Sequence, residues 1–188
     1  LFQFQESTRF HQLRHVLCVA TATIRQAENQ EEIKKLVEGQ TDFTLRVLSE
    51  YEEARYGYLA VMNSTSFSEG ITVDIGGGST EVTYFRNREI LEYHSFPFGA
   101  LSLKQQFIKG DIPTEEELEK LQTYLEYQFR TLPWLIDKKL PLIAIGGSAR
   151  NLVKIHQNLI CYPIAGVHLY KMKEEDIKNV KEELEGLS

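Results

Sequence analysis

Three consecutive glycines lie between two carboxylates in the segment Asp74-Ile75-Gly76-Gly77-Gly78-Ser79-Thr80-Glu81. The flanking residues 71–73 and 80–85 have the composition and alternation of strands, so the glycines are predicted to form a strand–turn–strand loop. Glycines let backbone N–H groups approach a ligand closely, and a run of such amides binds anions, most often phosphate. We therefore predict that the backbone of Gly76, Gly77, Gly78 and Ser79 cradles a phosphoryl group.

Other phosphate loops are excluded by what surrounds these glycines. A dinucleotide-binding loop would open a helix, and a P-loop would end in Gly-Lys-Ser/Thr. Neither a following helix pattern nor a nearby lysine is present. The alternative is a plain glycine-rich hairpin turn, although most hairpins need only two turn residues and do not carry an acid on each arm.

The two acids of this segment, Asp74 and Glu81, are close enough in sequence to face one bound group. Mg²⁺ binds through one or two carboxylates together with waters and substrate phosphates, so these residues are a candidate metal site. The alternatives are a turn-capping role for Asp74 and a solvated strand position for Glu81.

A second acid–base candidate is Glu53, near the start of a predicted helix. Ser49 and Glu52 have the spacing of a capping box, which commits Glu52 to the helix terminus. Glu53 points about 100° away from Glu52 and can act as a base toward water. Its alternative role is a first-turn acid that the helix dipole stabilises.

Two further segments offer anion donors at strand-to-helix crossings. Arg25 follows the apolar strand of residues 15–20, where an arginine can bind phosphate oxygens with both arms, or can be an ordinary surface residue. Gly146-Gly147-Ser148 lies between a predicted strand and a helix expected to begin at Ala149, so it forms a candidate second anion loop. Ser148 is also a suitable helix N-cap, which is compatible with that loop.

Composition places the chain among ordinary globular proteins and excludes some partners. The formal charge of −6 argues against nucleic-acid binding. No apolar run reaches the length of a membrane span. Cys18 and Cys161 match no metal spacing and are expected to be buried thiols of a reducing compartment, which makes the cytoplasm the default location. The chain begins at Leu1 and is expected to be part of a longer protein.

Helical and strand patterns alternate along the chain, which predicts an α/β fold. A polar segment at residues 63–70 is the best internal linker and divides the chain into residues 1–66 and 67–188. The second part is predicted to open with a three-stranded antiparallel meander around the glycine turn and an Asn87 turn. Helices are expected at residues 5–14, 24–27, 30–38, 49–62, 100–109, 114–132, 149–157 and 173–185.

Taken in order, these motifs resemble the exopolyphosphatase/guanosine pentaphosphate phosphohydrolase (Ppx/GppA) family within the actin-like ATPase superfamily. The similarity covers nearly the whole chain and rests on residues 20–27, 49–55, 74–81, 97–100 and 145–150. It implies two ribonuclease H-like domains with the active site between them, of which residues 1–66 are a remnant of the first and residues 67–188 most of the second. The family's amino-terminal phosphate loop is expected to lie upstream of Leu1.

The resemblance implies a role for each candidate residue. Glu53 resembles the catalytic glutamate that activates water, and Glu81 the second essential carboxylate. Asp74 resembles the Mg²⁺-associated acid, and Arg25 a phosphate-binding arginine. The segments Gly76–Gly77–Gly78–Ser79 and Gly146–Gly147–Ser148 resemble the phosphate cradle and the loop at the far side of the cleft.

The implied activity is hydrolysis of the terminal phosphoanhydride bond of inorganic polyphosphate with Mg²⁺ as cofactor. The alternatives are the same chemistry on guanosine pentaphosphate, an ATPase of the sugar- or acid-kinase type, and a non-catalytic sensor of polyphosphate or a nucleotide alarmone. These 188 residues alone are expected to be inactive or nearly so, and the full-length form is expected to be a homodimer.

Overall fold

The structure is a computed structural model that describes residues 1–164 and 166–186. Its helices are α1 (Phe2–Phe10), α2 (Ala22–Arg25), α3 (Gln30–Gln40), α4 (Glu50–Ser64), α5 (Ala100–Phe107), α6 (Glu115–Arg130), α7 (Gly146–Leu159) and α8 (Glu174–Glu185). Its strands are β1 (Cys18–Ala20), β2 (Leu45–Val47), β3 (Glu69–Ile75), β4 (Thr80–Arg86), β5 (Glu89–Phe96) and β6 (Leu142–Ile145), and a short 3₁₀ turn covers Pro133–Leu135. The α/β class predicted from the sequence is confirmed.

Two sheets organise the chain. β1 and β2 pair in parallel, and the larger sheet has the order β5-β4-β3-β6. β3, β4 and β5 form the predicted antiparallel meander, while β6 runs parallel to β3. Asn87 and Arg88 both have positive φ in the turn that joins β4 to β5, as tight two-residue hairpin turns require.

Successive side chains of a strand point to opposite sides of the sheet, and both sides of the larger sheet carry apolar residues that other elements cover. On one face, Tyr58, Val61 and Met62 of α4 pack against Phe85 of β4. On the other face, a cluster formed by Ile71, Val82, Tyr84, Phe96, Phe98 and Leu132 packs against residues of α6. Phe85 and Phe96 are fully buried, so β4 and the end of β5 lie at the centre of the core.

Helix α4 is held at both ends. At its start, the Glu52 N–H donates to Ser49 Oγ (3.2 Å) and the Ser49 N–H donates to Glu52 Oε2 (2.9 Å), so the predicted capping box is confirmed. At its end, the Arg88 guanidinium donates to the carbonyls of Met62 and Thr65, which places a cation at the helix carboxyl terminus. The acids of its first turn therefore have a defined position over the sheet.

Several predicted boundaries were wrong. The first helix ends at Phe10 rather than residue 14, and the first strand begins at Cys18 rather than residue 15. The polar segment at residues 63–70 is not a free linker throughout, since Asn63 and Ser64 belong to α4 and Glu69 and Gly70 to β3. The division into residues 1–66 and 67–188 stays a prediction.

The expectation of two buried thiols was also wrong. Cys161 is exposed in the turn after α7, and Cys18 is half-buried. Across residues 1–164 and 166–186, the longest helices are too polar or too short to cross a bilayer.

Replacement of Ser49 by alanine tests the anchoring of α4. The variant loses the acceptor for the Glu52 N–H, and N-cap losses of this kind cost about 1 kcal/mol of the free energy of unfolding. Ser64→Ala, at the exposed last position of the same helix, is the matched control. Chemical denaturation that shows equal stability for both variants would contradict a capping role for Ser49.

Candidate functional site

The pairing of β3 with β4 brings Asp74 and Glu81 together. These two residues are directly opposite each other in the antiparallel register, with Ile75 opposite Thr80 at the base of the glycine turn. Residues directly opposite in an antiparallel pair project their side chains from the same face of the sheet. Both carboxylates therefore lie on the face that α4 covers, as the candidate metal site requires.

Glu81 is a buried carboxylate with its own hydrogen-bond donors. It is only 4% exposed, and the Ser95 hydroxyl of β5 donates to its Oε1 at 2.8 Å. Burial raises the pKa of Glu81, and the negative charges of Glu53 and Asp74 raise it further, while hydrogen bonds from Ser95 and Ser79 act in the opposite direction. Ser79, itself buried, thus directs its hydroxyl to Glu81.

Asp74 lies between two glycines. A Cβ atom on Gly146 would lie 2.5 Å from Asp74 Oδ1, and one on Gly57 of α4 would lie 3.9 Å from Oδ2. Gly146 also has φ of +89°, which favours glycine. Because Gly146 carries no side chain, the start of α7 can approach the Asp74 carboxylate closely.

The electrostatic environment of Asp74 disfavours its charge. Burial raises the pKa of Asp74, the neighbouring Glu53 carboxylate raises it further, and the Arg150 guanidinium lowers it. Glu53 thus influences both Asp74 and Glu81, which shows that the three carboxylates share one electrostatic neighbourhood.

Glu53 is oriented by Arg25. The Arg25 Nη1 lies 2.9 Å from Glu53 Oε2 and also donates to the Leu48 carbonyl at 2.8 Å. Both side chains are largely buried, at 16% and 19% exposure. The Nε and Nη2 donors of Arg25 are buried and have no partner within the described residues, so the guanidinium keeps unused donors beside the acid.

Glu52 has a different function from its neighbour, as the sequence predicted. Backbone and side-chain hydrogen bonds from Ser49 hold the pKa of Glu52 below its usual range, and an ion pair with Arg46 adds to this. Glu53, which takes no part in the capping box, remains available to the site.

The glycine turn has four residues between the paired strands. The Gly76 N–H donates to the Ser79 carbonyl at 3.0 Å and closes the turn. Gly77 is exposed, and the N–H groups of Gly77 and Gly78 donate to no acceptor within residues 1–164 and 166–186. These two amides are available to an anion, whereas the Gly76 amide and the Ser79 hydroxyl are already engaged.

The segment Gly146–Gly147–Ser148 is the start of a helix rather than a loop, and its role in anion binding stays a prediction. All three residues belong to the first turn of α7, which begins at Gly146 and not at Ala149, directly after β6. Ser148 is not the N-cap either, because that position belongs to Ile145; the Ser148 hydroxyl donates to the Ile75 carbonyl at 3.3 Å. The backbone of Gly146 packs closely against the Asp74 carboxylate, whereas a Cβ atom on Gly147 would meet no other atom within 4 Å.

Three site residues were missed by the sequence analysis: Ser95, Gly57 and Gly99. Gly57 interrupts a helical pattern four residues after Glu53, and a glycine inside a helix often marks close packing. Ser95 becomes a partner of Glu81 only through the register of β5. Gly99 was noted in a motif but was given no role.

The donor set fits Mg²⁺. Two paired carboxylates whose charges repel each other are the oxygen ligands that this ion prefers. No group of three His, Cys, Asp or Glu side chains converges to hold a metal in the described part of the chain. Asp74 and Glu81 would therefore supply one or two ligands, and waters and phosphate oxygens the rest.

A groove elsewhere on the molecule is separate from the candidate site. A groove of about 730 Å³ lined by Leu121, Leu125 and Ile136 runs beside α6, but it contains none of the candidate site residues. α6 packs on the opposite face of the sheet from the carboxylates. We give the groove no part in the chemistry of Asp74 and Glu81.

Asp74→Asn tests the electrostatic strain at the site. Because the pKa of Asp74 is raised in the folded protein, folding favours the protonated carboxyl group. With respect to this group, the free energy of unfolding is therefore highest below the ordinary Asp pKa of about 4, and it falls as pH rises through the folded value. The variant is expected to melt a few degrees above the wild type at pH 7, with a smaller difference near pH 3.5.

The control for this measurement is Asp111→Asn, at a fully exposed position. Thermal melts of the three proteins across this pH range provide the comparison. A melting temperature of Asp74→Asn that equals the wild type at both pH values would show that the site carries no such strain.

Comparison with known proteins places this geometry in a family. The sequence profile described as the Ppx/GppA phosphatase family matches residues 1–188. Exopolyphosphatase 2 of Mycobacterium tuberculosis is 24% identical over 199 residues, which cover all of this chain and 61% of that protein. A guanosine-5'-triphosphate,3'-diphosphate pyrophosphatase of Pseudoalteromonas atlantica is 34% identical over 103 residues, covering 54% of this chain and 20% of that protein.

Solved structures agree with the profile. The Aquifex aeolicus member of the Ppx/GppA family superposes with a TM-score of 0.72 at 29% identity, over 94% of this chain and 57% of that one. An exopolyphosphatase from Cytophaga hutchinsonii shares the fold with a TM-score of 0.85 at 21% identity, over 97% of this chain and 60% of that one. The chain thus spans about three-fifths of the length of the Mycobacterium, Aquifex and Cytophaga proteins, and it belongs to the Ppx/GppA phosphatase family.

Proposed function

We propose that the complete protein hydrolyses the terminal phosphoanhydride bond of inorganic polyphosphate. The observation that carries the proposal is the shared electrostatic neighbourhood of Glu53, Asp74 and Glu81 beside a glycine turn with two free amides. Phosphoryl transfer depends mainly on positioning and on stabilisation of charge, and these groups provide both. The named exopolyphosphatase relatives support the same substrate.

In this proposal Glu53 activates water. Its carboxylate accepts a proton from a water molecule whose oxygen attacks the terminal phosphorus, and the bond from that phosphorus to the bridging oxygen breaks. The products are orthophosphate and a chain shorter by one phosphate. Arg25 orients the carboxylate through Nη1, and its two unused donors can bind a phosphate oxygen.

The remaining groups bind and stabilise charge. The Gly77 and Gly78 amides would donate to phosphate oxygens, and Asp74 with Glu81 would hold Mg²⁺. Bound Mg²⁺ supplies compensation for the charge of the phosphate chain. Ser95 and Ser79 hold Glu81 in place by hydrogen bonds.

Guanosine pentaphosphate is the second candidate substrate. The relative that is 34% identical over 103 residues is a guanosine-5'-triphosphate,3'-diphosphate pyrophosphatase, and the same groups would serve that reaction.

We also propose a cytoplasmic location and a homodimeric complete form. Gel filtration coupled to light scattering would test the oligomeric state.

Replacing Glu53 by glutamine tests its role as the base. The variant keeps a hydrogen-bonding side chain beside Arg25 but cannot accept the proton, so kcat should fall by about 10²-fold or more while KM changes little. Glu50→Gln, an exposed acid in the same first turn, is the matched control. Near-normal turnover in Glu53→Gln would remove Glu53 from the mechanism.

The substrate and the metal are tested together on the complete protein. Phosphate release is measured from polyphosphate and from guanosine pentaphosphate, with Mg²⁺ and after chelation. We expect release from polyphosphate that depends on Mg²⁺. Preference for guanosine pentaphosphate would favour the second candidate, and tight binding without release would favour a non-catalytic sensor.

A further inference from the structure

The amino terminus of α5 contacts the glycine turn through the carbonyl groups of that turn. The Ala100 N–H donates to the Gly76 carbonyl at 2.9 Å, and the N–H groups of Leu101 and Ser102 donate to the Gly77 carbonyl at 3.0 and 3.1 Å. The first amides of a helix are a ready anion site. In this helix they are already occupied by peptide carbonyls of the turn.

Gly99, which precedes α5, permits this contact. A Cβ atom at this position would lie 2.4 Å from the Gly76 oxygen and 2.7 Å from the Gly77 carbonyl carbon, closer than real Cβ contacts allow. Gly99 has extended backbone geometry, with φ of −146° and ψ of −170°, so space and not conformation requires glycine. Its N–H donates to the Ser102 hydroxyl at 2.8 Å.

The segment before α5 is anchored in the core. Phe98 is 3% exposed, its ring stacks on Phe96, and the Phe98 carbonyl accepts the Thr80 hydroxyl at 2.8 Å. Ring contacts of Phe98 and Phe107 with Tyr124 join α5 to α6. α5 therefore lies on the α6 side of the sheet and has little freedom to move away from the turn.

Peptide geometry determines where the free amides of the turn point. In a trans peptide unit the C=O and the following N–H point in opposite directions. When the Gly76 and Gly77 carbonyls face α5, the N–H groups of Gly77 and Gly78 must face away from it. The side away from α5 is the α4 side, where Asp74 and Glu81 project.

We propose that the motif Pro97–Phe98–Gly99–Ala100 and the start of α5 orient the anion-binding amides of Gly77 and Gly78, with Gly99 as a positioning residue. Hydrogen bonds to the carbonyl of a peptide unit also polarise its N–H, so the amino terminus of α5 acts on the anion through the turn rather than by contact. This inference rests on the proposed phosphate-binding function of the turn.

Gly99→Ala in the complete protein tests the positioning role. The added methyl group must displace the Gly76 and Gly77 carbonyls, so we expect KM for polyphosphate to rise at least tenfold and kcat/KM to fall further. Gly110→Ala, just beyond α5, is the control, because its Cβ would meet only ordinary contacts at 3.6 Å or more. Unchanged kinetics in Gly99→Ala would overturn the proposal.

A second measurement does not depend on the folding of the variant. With ¹⁵N-glycine labelling of the wild-type complete protein, titration with tripolyphosphate should shift the Gly77 and Gly78 amide resonances strongly and the Gly110 resonance weakly. If the Gly77 and Gly78 amide resonances do not shift, the inference is overturned. A response of these amides without phosphate release would support it while contradicting the proposed hydrolysis, so the two failures are distinguishable.

Discussion

The antiparallel pairing of β3 with β4 is the constraint on which the site depends. It closes a four-residue turn, places Asp74 opposite Glu81 and directs both carboxylates to the face under α4. Because side chains alternate along each strand, the same pairing sends Val82 and Tyr84 to the opposite core cluster. A slip of one residue would exchange the acids for core residues, so the hydrophobic core itself maintains the register of the site.

The carboxylates of the site oppose folding rather than support it. Burial and mutual repulsion raise the pKa of both Asp74 and Glu81, and only part of this cost is offset by Ser79, Ser95 and Arg150. Perturbed groups of this kind cluster at functional sites, where a cation or a substrate completes the charge balance. The rigid covering of the sheet on both faces allows the protein to tolerate this local strain.

Glycines determine how closely the elements around the site approach one another. Gly57 allows α4 to lie close to Asp74, Gly146 allows α7 to begin beside the same carboxylate, and Gly99 allows α5 to reach the turn. Gly99 and Gly146 are required at contacts between segments that are distant in sequence, and Gly57 lies at a close one. For this reason the triple glycine was recognisable from the sequence as a turn between strands, whereas the contacts of the three single glycines were not.

The sequence by itself determined the α/β class, the meander, the capping box at Ser49 and the separate roles of Glu52 and Glu53. These features depend on local patterns of polarity and on short-range hydrogen bonds, which neighbouring residues specify. Ser95 shows what lies beyond that range. Counting from the Asn87 turn pairs Glu81 with His94, but an irregularity near Tyr84 and Phe85 shifts the register and presents Ser95 instead. Such a shift, like the start of α7 at Gly146 and the ion pair between Arg25 and Glu53, depends on how distant segments pack, and only the tertiary structure decides it.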